Sequence, residues 1–500
     1  MSDREPSVGL PRSRWDFTAD VPQPGELGRV HVLAVGGAGM SGVARLLAAA
    51  GAPVSGCDAK DSATLQALSR LGIGVGVGHD VAHLDGVDTL VVSSAIREVN
   101  PELAAARARG LRVLHRSQGL ASAVADTACR IAVAGANGKT TTASMLAVAL
   151  HLAGRDPGYV LGGEPAQLTG NAARGAGGET VIEADESDGS FVVYRPHVAI
   201  VTSVQPDHLD FYGDLEAVHA AYRAFVTTIE PGGLLVVCTD DPGAAALGDW
   251  ARRRSDLRVL GYGTGEGCDV RLVDVRDTGP NPSADVQVGD AAYPMRLGVP
   301  GRHNLLNAAG AVAALSHAVP DTGPGTWVQL LGRFTGVARR FERVGERAGV
   351  VVVDDYAHNP AKVAAVVATG RAVVGAGRLV VVFQPHLYSR TRDFAAEFGQ
   401  ALAGADVVVL TDVYAAREDP LPGVTGELVA DAVRARRPDA DVRWVPELAD
   451  LPTVVAGLAH AGDLVVTVGA GDVTVVGPRL LELLGSPGAG PARPEPEPTS

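Results

Sequence analysis

The residues with the clearest chemical meaning lie at 135–141, where a turn reads Gly-Ala-Asn-Gly-Lys-Thr-Thr. An apolar run precedes this turn and a helix-forming run follows it, so backbone N–H groups and the positive end of a helix should face a phosphate. Lys139 can reach the β- and γ-phosphates of a nucleotide, and the Thr140 hydroxyl can bind Mg²⁺. Val133 stands where the full phosphate-loop pattern has glycine, so the sequence predicts a shortened form of that loop.

A second glycine turn lies near the start of the chain, with glycines at 37, 39 and 42 after an apolar run. Asp58 follows roughly 20 residues later, the spacing at which an acid meets a ribose hydroxyl in dinucleotide-binding domains. The pattern predicts a diphosphate near a helix N-terminus but does not specify nicotinamide. Two nucleotide-type sites in one chain suit an enzyme that uses ATP on a nucleotide-activated substrate.

Acidic residues and a histidine follow two further predicted strands. The run at 183–188 reads EADESD, and its carboxylates repel one another unless cations balance them. Glu183 and its neighbours could supply oxygen ligands to Mg²⁺ on a phosphate chain. Asp207 and His208 also stand at the carboxyl end of a strand, where ligands bind in open α/β sheets. The alternatives are a solvated acidic turn and a structural histidine.

Composition narrows the class of protein. The 500 residues carry a formal net charge of −14, which argues against nucleic acid or an anionic membrane as partner. The 4 cysteines form no C-x-x-C pair, which is typical of a reduced protein without disulfides or a zinc site. The N-terminus is polar and no apolar run is long enough to span a bilayer. These features predict a cytoplasmic location.

Short β-branched runs alternate with alanine-rich stretches, which predicts a parallel α/β fold. Three blocks follow: a Rossmann-like domain at 27–125, a central P-loop ATPase-like α/β domain at 126–331 and a Rossmann-like α/β domain at 332–485. A flexible tail is expected at 1–26, a disordered tail at 486–500, and an antiparallel insertion at 261–300. The predicted strands are 30–35, 89–93, 131–134, 181–184, 198–202, 234–238, 350–354, 379–383, 407–410 and 464–468.

Several segments together resemble one family. They are HVLAVGGAGMSG at 31–42, SSAI at 93–96, the turn at 134–142, EADESD at 183–188, DH at 207–208, GRHN at 301–304, GVARRFE at 336–342, DDYAHNP at 354–360, FQPHLYSRT at 383–391 and GAGD at 469–472. In this order, from about residue 29 to about residue 480, they are similar to the Mur ligase superfamily. The similarity is greatest to the branch that acts on UDP-N-acetylmuramate and L-alanine.

The resemblance implies ATP-driven amide bond formation on a UDP-linked muramic acid, with Mg²⁺ as cofactor and UDP-N-acetylmuramate, L-alanine and ATP as small-molecule partners. It places the UDP moiety against Gly37, Gly39, Gly42 and Asp58, with Ser93 and Ser94 near the uridine. It places the ATP phosphates against Gly135, Ala136, Asn137, Gly138, Lys139, Thr140 and Thr141, and the adenine and ribose against His303, Asn304 and Asn307. It assigns magnesium to Thr140, Glu183 and His208, the γ-phosphate to Arg340, and the incoming amino acid or transferring group to Tyr356, His358 and Arg390. The implied catalytic set is Lys139, Glu183, His208, Arg340 and His358, with His358 or His208 as base.

The chain also departs from the family pattern. Ala136-Asn137 replaces Thr-His, Ser203 and Gln205 replace Asn and Glu, Asn359 replaces a frequent histidine and Leu387 a frequent arginine. These departures leave open a related ligase that adds another amino acid or a recycled peptide, and a weakly active paralogue that senses UDP-muramic acid. The first glycine loop alone also leaves open an NAD-dependent oxidoreductase. Either a monomer or a homodimer is compatible with the sequence.

Overall fold

The computed structural model describes residues 13–416 and 418–485. They group into two compact units. The first unit runs to Val275 and includes Ser283–Leu297 and His303–Thr335, and the second contains Arg276–Pro282, Gly298–Arg302 and the chain from Gly336 onward. Among the described helices, none combines the length and apolarity needed to cross a membrane. The tail expected at 486–500 lies outside the described residues.

The N-terminal domain is a five-stranded, all-parallel sheet in the order β3-β2-β1-β4-β5. Its strands are β1 (Val30–Leu33), β2 (Val54–Asp58), β3 (Gly74–Val77), β4 (Thr89–Val92) and β5 (Arg112–His115). Its helices are α1 (Ala38–Ala49), α2 (Ala63–Arg70), α3 (Pro101–Ala108) and α4 (Arg116–Ala123). The order reverses between β1 and β4, and the first glycine loop leaves β1 at this switch point, where ligands bind in such sheets.

The segment before β1 differs from the flexible tail that the sequence predicts. Phe17 is buried, and Arg14 donates hydrogen bonds to the carbonyl oxygens of Ser94 (3.0 Å) and Ile96 (2.6 Å). The Ser122 hydroxyl donates to the Pro22 carbonyl at 2.5 Å. Residues 13–26 therefore pack against the N-terminal domain, because one buried aromatic side chain and a few hydrogen bonds hold them there.

The middle domain is a ten-stranded sheet in the order β15-β14-β13-β12-β11-β10-β6-β9-β7-β8. Its strands are β6 (Cys129–Ala134), β7 (Gly158–Val160), β8 (Ala172–Ala173), β9 (Glu179–Glu183), β10 (Val198–Val201), β11 (Leu234–Cys238), β12 (Arg258–Gly263), β13 (Val270–Arg276), β14 (Ser283–Val288) and β15 (Ala291–Arg296). Its helices are α5 (Lys139–Leu152), α6 (Leu209–Tyr212), α7 (Leu215–Thr227), α8 (Pro242–Ala251), α9 (Arg302–Ala318) and α10 (Pro324–Leu331). Strands β9, β6 and β10 are parallel neighbours, so their carboxyl ends lie side by side at one edge.

The second unit is built on a six-stranded sheet in the order β16-β17-β21-β18-β19-β20. Its strands are β16 (Glu342–Arg347), β17 (Val350–Asp355), β18 (Leu379–Phe383), β19 (Val407–Leu410), β20 (Asp441–Trp444) and β21 (Leu464–Val468). Its helices are α11 (Pro360–Val374), α12 (Tyr388–Asp393), α13 (Ala395–Leu402), α14 (Gly426–Arg436), α15 (Leu451–Leu458) and α16 (Val476–Gly485). Two separate apolar cores cover the two faces of this sheet, which explains why β18, β19 and β21 are continuous apolar runs.

The predicted α/β fold with three domains is confirmed. Each predicted strand is present within two residues of its expected bounds. The predicted antiparallel insertion is confirmed at β14 and β15, which pair antiparallel, whereas β12 and β13 pair parallel. The sheets of the N-terminal and middle domains both belong to the first compact unit, and residues of the two domains form one apolar core.

Candidate active site

The phosphate loop connects β6 to the N-terminus of α5. Gly135 and Gly138 have φ angles of 139° and 85°, a backbone region that only glycine adopts without strain. A side chain at Gly135 would collide with the Thr202 hydroxyl, and a Cβ at Gly138 would lie 2.7 Å from Oδ1 of Asn307. The loop is therefore held against β10 and α9, with its backbone close enough to touch a phosphate.

Lys139, the first residue of α5, is the main positive charge of the loop. Its Nζ donates to the Gly135 carbonyl at 2.6 Å and to Oε1 of Glu186 at 2.8 Å. Burial lowers the pKa of Lys139, but Glu186 and Asp185 beside it outweigh burial and raise it. The ammonium group is therefore charged and is available to a polyanion that displaces Glu186.

Thr140 faces the acidic run at the end of β9. Its hydroxyl donates to Oε1 of Glu183 at 2.8 Å, and the Gly162 N–H donates to Oε2 of the same carboxylate at 2.5 Å. A hydroxyl and a carboxylate are the oxygen donors that Mg²⁺ prefers. The structure thus brings together two of the three residues expected to bind magnesium.

The third predicted ligand, His208, joins a different group. Its donor atom and those of Asp185 and Glu186 all lie within 4.8 Å of one another. Glu186 is buried, and its Oε2 has no hydrogen-bond partner among the described residues. A buried carboxylate oxygen without a donor is costly unless a cation meets it, so these residues fit a divalent ion. Asp185 and Glu186 are potential ligands that the sequence indicated only as neighbours of Glu183.

Three departures from the family pattern contact one another. The Asn137 side chain donates to Oε1 of Gln205 at 3.0 Å, and Gln205 donates to Oδ2 of Asp241 at 2.8 Å. The Ser203 hydroxyl accepts the backbone N–H of Asn137 at 3.0 Å. Asp241 in turn accepts the N–H groups of Val204 and Ala244. Asn137, Ser203 and Gln205 therefore form a connected support for the loop.

The remaining residues expected at the nucleotide lie around the same loop. The Ala136 N–H donates to the Ser203 carbonyl at 3.2 Å, and Thr141 is half-buried in the first turn of α5. On α9, the Asn307 amide donates to Oδ1 of Asn304 at 3.2 Å, and both residues are buried. His303, at the start of α9, is exposed. Asn307 approaches the phosphate loop through its closeness to Gly138.

The first glycine loop is held differently. The Gly36 N–H donates to Oδ2 of Asp58 at 3.0 Å, so the acid that the sequence assigns to a ligand also anchors the loop. Gly37 precedes α1 in extended backbone with φ −70°. The Cβ position of Gly39 lies 3.1 Å from Nη1 of Arg116, the first residue of α4. Arg116, which sequence reasoning missed, places a guanidinium beside the loop.

Gly42 lies inside α1 and its Cβ position is in ordinary contact, 3.5 Å, with the Ala172 side chain of the middle domain.

Ser93 and Ser94 follow β4 at the same edge of the sheet. The Ser94 hydroxyl lies 2.9 Å from Oδ2 of Asp188 and 2.9 Å from Nε2 of His115, and the Ser93 carbonyl accepts a 3.5 Å hydrogen bond from Arg14. Burial lowers the pKa of His115 to about 4, so its ring is neutral at pH 7. Because Asp188 belongs to the acidic run of the middle domain, Ser94 links the edge of the first sheet to the edge that carries the phosphate loop.

The second unit holds a cluster of aromatic and cationic residues at the carboxyl ends of its strands. The Tyr356 and His358 rings meet edge to face at 5.5 Å, and His386 stacks on Tyr414 at 5.8 Å. Nη1 of Arg390 lies 3.4 Å from the His358 carbonyl. Burial lowers the pKa of His358 to about 4. Such a ring is a weak base, so the structure favours contact with a ligand over proton removal for His358.

The two arginines at the entry to this unit have different surroundings. Arg339 donates to the Gly469 carbonyl at 2.7 Å and pairs with Asp354 at 3.3 Å. The Arg340 guanidinium lies 5.6 Å from the centre of the Tyr356 ring. Burial raises the pKa of Asp355 to about 6, and the nearby Arg340 opposes this shift. Arg339 is thus a structural residue, and Arg340 remains the candidate for a phosphate.

The departures at 359 and 387 have local structural roles. Asn359 caps α11, since its Oδ1 accepts the Lys362 N–H at 2.9 Å. Leu387 precedes α12 with φ 69°, and its N–H donates to the Tyr414 carbonyl at 3.0 Å.

Three family models match the chain in order. They are described as "Mur ligase family, catalytic domain" over residues 29–127, "Mur ligase middle domain" over 133–315 and "Mur ligase, glutamate ligase domain" over 339–471. The chain belongs to the Mur ligase family.

Individual relatives show which members of this family the chain resembles. A UDP-N-acetylmuramate–L-alanine ligase of Kineococcus radiotolerans is 56% identical, over 92% of this chain and 96% of the relative. The solved structure of the UDP-N-acetylmuramate–alanine ligase of Thermotoga maritima matches with a TM-score of 0.74 and 28% identity, covering 91% of this chain and 98% of that one. The solved structure of a murein peptide ligase from Psychrobacter arcticus matches with a TM-score of 0.64 and 25% identity. The match covers 92% of this chain and 99% of that one.

Proposed function

We propose that this protein joins L-alanine to the lactyl carboxylate of UDP-N-acetylmuramate with cleavage of ATP to ADP and phosphate, a step in making peptidoglycan precursors. One observation carries the proposal. The hydrogen bond between Ser94 and Asp188 joins the edge of the sheet that bears the first glycine loop to the acidic run beside the phosphate loop. An enzyme that phosphorylates a nucleotide-linked acid needs these two loops at adjoining edges. The 56% identical relative named for this activity supports the same conclusion.

The chemistry follows from the poor reactivity of a carboxylate toward an amine. Transfer of the γ-phosphate to a carboxylate oxygen gives an acyl phosphate, which has a good leaving group. The amine of L-alanine attacks the carbonyl carbon, and the tetrahedral intermediate releases phosphate and leaves an amide. Positioning and neutralisation of charge dominate the catalysis of such a phosphoryl transfer.

Lys139 and Arg340 supply positive charge in this scheme. Lys139 leaves Glu186 for the phosphates of ATP, and its position at the N-terminus of α5 keeps it beside the backbone N–H groups of the loop. Mg²⁺, when bound, neutralises the phosphate oxygens and would be held by Thr140 and Glu183, and by the group formed by Asp185, Glu186 and His208. We assign Arg340 to the transferring γ-phosphate.

The N-terminal domain binds the UDP-sugar in this proposal. Arg116 faces the glycine loop at Gly39 and would pair with the diphosphate, because a guanidinium forms strong charge-assisted hydrogen bonds with phosphate. Asp58 keeps one oxygen on the Gly36 N–H and offers the other toward a ribose hydroxyl. Ser93 and Ser94 lie near the uridine.

The second unit supplies contacts to the amino acid. Arg390 is assigned to the carboxylate of L-alanine, and Tyr356 and His358 to its amine and methyl sides. The low pKa of His358 makes that ring a poor acceptor of a proton from an ammonium group, so His358 is assigned to contact with the amino acid and not to proton removal. All 4 cysteines of the chain are unpaired, as expected of a cytoplasmic enzyme.

The test is product mass spectrometry after incubation with ATP, Mg²⁺, UDP-N-acetylmuramate and a mixture of amino acids and murein peptides. We expect UDP-N-acetylmuramoyl-L-alanine and stoichiometric ADP. Exclusive use of a peptide, or of another amino acid, would overturn the assignment to L-alanine while leaving the ligase chemistry. Oxygen-18 in the lactyl carboxylate should appear in the released phosphate, and its absence would overturn the acyl phosphate.

A further inference from the structure

A second group of potential metal ligands lies inside the N-terminal domain, away from the phosphate loop. We call it the N-domain cluster; its members are His31 on β1, Cys57 on β2, His83 in the 3-10 turn Val81–Leu84 and Glu102 in the first turn of α3. One ligand atom from each of these residues lies within 4.8 Å of all the others. The mechanism proposed above uses none of them.

The sequence brings these residues together through local structure. Asn100 caps α3 by accepting the N–H groups of Glu102 and Leu103, and this cap directs the Glu102 side chain under the sheet. Parallel pairing places His31 beside Ser55 and Leu33 beside Cys57. The cluster therefore rests on two central strands and a capped helix, which are rigid elements suited to holding a defined geometry.

Glu102 is the centre of the cluster. Its side chain is fully buried, and its two oxygens lie 3.2 and 3.3 Å from the Cys57 sulfur. Nδ1 of His83 lies 2.6 Å from Oε1, and Nδ1 of His79 lies 2.9 Å from Oε2. His79, which also lies 3.5 Å from the Cys57 sulfur, and the Asp80 N–H, which donates to Oε1 at 3.3 Å, orient the carboxylate as outer partners do in metal sites.

His31 provides the observation that points to a cation. The residue is 2% exposed, and its Nε2 has no hydrogen-bond partner within the described part of the chain, although Oε1 of Glu102 lies 3.8 Å away. The Ser55 hydroxyl donates to the Val30 carbonyl at 3.3 Å, so it accepts from Nδ1 of His31 at 2.9 Å. This places the proton on Nδ1 and leaves a lone pair on Nε2. A nitrogen lone pair that faces a carboxylate oxygen in a buried site calls for a positive charge between them.

We propose that the N-domain cluster binds one Zn²⁺ ion. A thiolate, a carboxylate and two neutral imidazoles balance the two charges of zinc, so the occupied site is neutral, as burial requires. Zinc bonds of about 2.0–2.3 Å place tetrahedral ligands roughly 3.2–3.7 Å apart, so shifts of about 1 Å or less close the cluster on the ion. Binding displaces the proton of Cys57 to solvent as the sulfur–zinc bond forms.

Zinc here would stiffen the first glycine loop. Cys57 is bonded through the chain to Asp58, whose carboxylate holds the Gly36 N–H. His31 lies on β1, the strand that leads into the same loop. The site would therefore be structural, and its effect on catalysis would be a change in the KM for the UDP-sugar.

The experiment measures zinc in the full-length protein purified under reducing conditions from zinc-supplemented cells. We expect about one zinc per chain by plasma mass spectrometry. Zinc X-ray absorption should show one sulfur and three nitrogen or oxygen ligands, a result that needs no variant. After chelation, Co²⁺ should give intense tetrahedral d–d bands and a sulfur-to-cobalt charge-transfer band.

Two variants and two controls assign the ion. Cys57→Ser should abolish the charge-transfer band, and Glu102→Gln should lower Co²⁺ affinity at least tenfold. Cys129→Ser, at a half-buried cysteine on β6, and His208→Asn, in the acidic group of the middle domain, should leave the zinc content and cobalt spectrum unchanged. Circular dichroism checks that each variant is folded.

Two results would overturn the proposal. One is a folded, reduced wild-type protein that neither contains zinc nor takes up Co²⁺ with a sulfur ligand. The other is Cys57→Ser protein that keeps the full zinc content or an unchanged absorption edge. Neither result touches the ligase proposal, which rests on other residues.

Discussion

The two glycine turns of the first unit share a strand–turn–helix plan but obtain positive charge in different ways. The turn at 135–138 opens α5 with its own cation, Lys139, which is paired with Glu186 at 2.8 Å. The turn at 36–39 opens α1 without a basic residue, and its nearest guanidinium comes from Arg116 on α4. A glycine motif therefore predicts where a phosphate lies, but the source of charge depends on which element packs beside it.

The backbone of the two turns differs as well. Gly138 has a left-handed φ of 85°, and a side chain there would press on Asn307. Gly37 has a φ of −70°, and the nearest atom to its Cβ position is the Ala34 carbonyl oxygen at 3.6 Å. The phosphate loop needs glycine at 138 for its backbone shape, whereas Gly37 in the first loop has room for a small side chain.

The largest expected effect tests the charge within the phosphate loop. Lys139→Ala should lower kcat/KM by about 10³-fold or more, because a preorganised cation at the transferring phosphate is lost. The measurement is steady-state release of ADP, with calorimetric binding of UDP-N-acetylmuramate as the control. Binding of the UDP-sugar should be unchanged; a parallel loss would show that the two turns are not separate sites.

Arg116→Ala tests the positive charge that Arg116 on α4 brings to the first glycine turn. We expect the KM for UDP-N-acetylmuramate to rise about 10- to 100-fold, the value of a charge-assisted hydrogen bond of about 1.5–3 kcal/mol. The KM for ATP should stay within about twofold. Arg112, an exposed arginine on the neighbouring strand, gives a matched control in Arg112→Ala. An effect confined to ATP would contradict the assignment.

Two glycine substitutions test whether the phosphate loop requires glycine more strictly than the region of the first glycine loop does. Gly138→Ala should destabilise the protein by about 1–2 kcal/mol and weaken ATP binding, since the left-handed conformation is strained for alanine. Gly42→Ala should change stability by less than about 1 kcal/mol or raise it, because its Cβ has room and alanine favours a helix. Denaturant unfolding measures both. Equal losses at the two positions would refute the distinction.

The smallest expected effect concerns the support of the phosphate loop. Asn137→Ala and Gln205→Ala should each weaken ATP binding by roughly two- to fivefold, since each removes one neutral hydrogen bond near the surface. In the double variant the losses should not add, with a coupling of about 0.5 kcal/mol. Strict additivity in calorimetric ATP binding would show that the two amides act independently.

Much of the fold could be predicted, because continuous β-branched runs such as 379–383 are typical of strands buried on both faces. The strand–turn–helix geometry at 129–152 could be predicted too, since its glycines, Lys139 and Thr140 are adjacent in sequence. The packing of residues 13–26 against the N-terminal domain could not be predicted from their polar composition, because it depends on a few contacts such as those of Arg14.

Other parts of the site depend on tertiary packing and leave no local pattern. Arg116 reaches the first glycine loop only because β5 lies beside β4 in the sheet. The separation of Glu183 from His208 could not be predicted, since it depends on side-chain direction after β9. The pairing of Asn137 with Gln205 likewise joins residues that look like unrelated departures in sequence.

The ion pair between Lys139 and Glu186 has a consequence for which anions enter the loop. A small anion such as inorganic phosphate must compete with a carboxylate that is already 2.8 Å away and desolvated. A nucleotide triphosphate brings more charge, a base and a chelated metal that can receive the freed carboxylate. The pair should therefore disfavour the free phosphate that every turnover releases, and inorganic phosphate is expected to be a weak inhibitor.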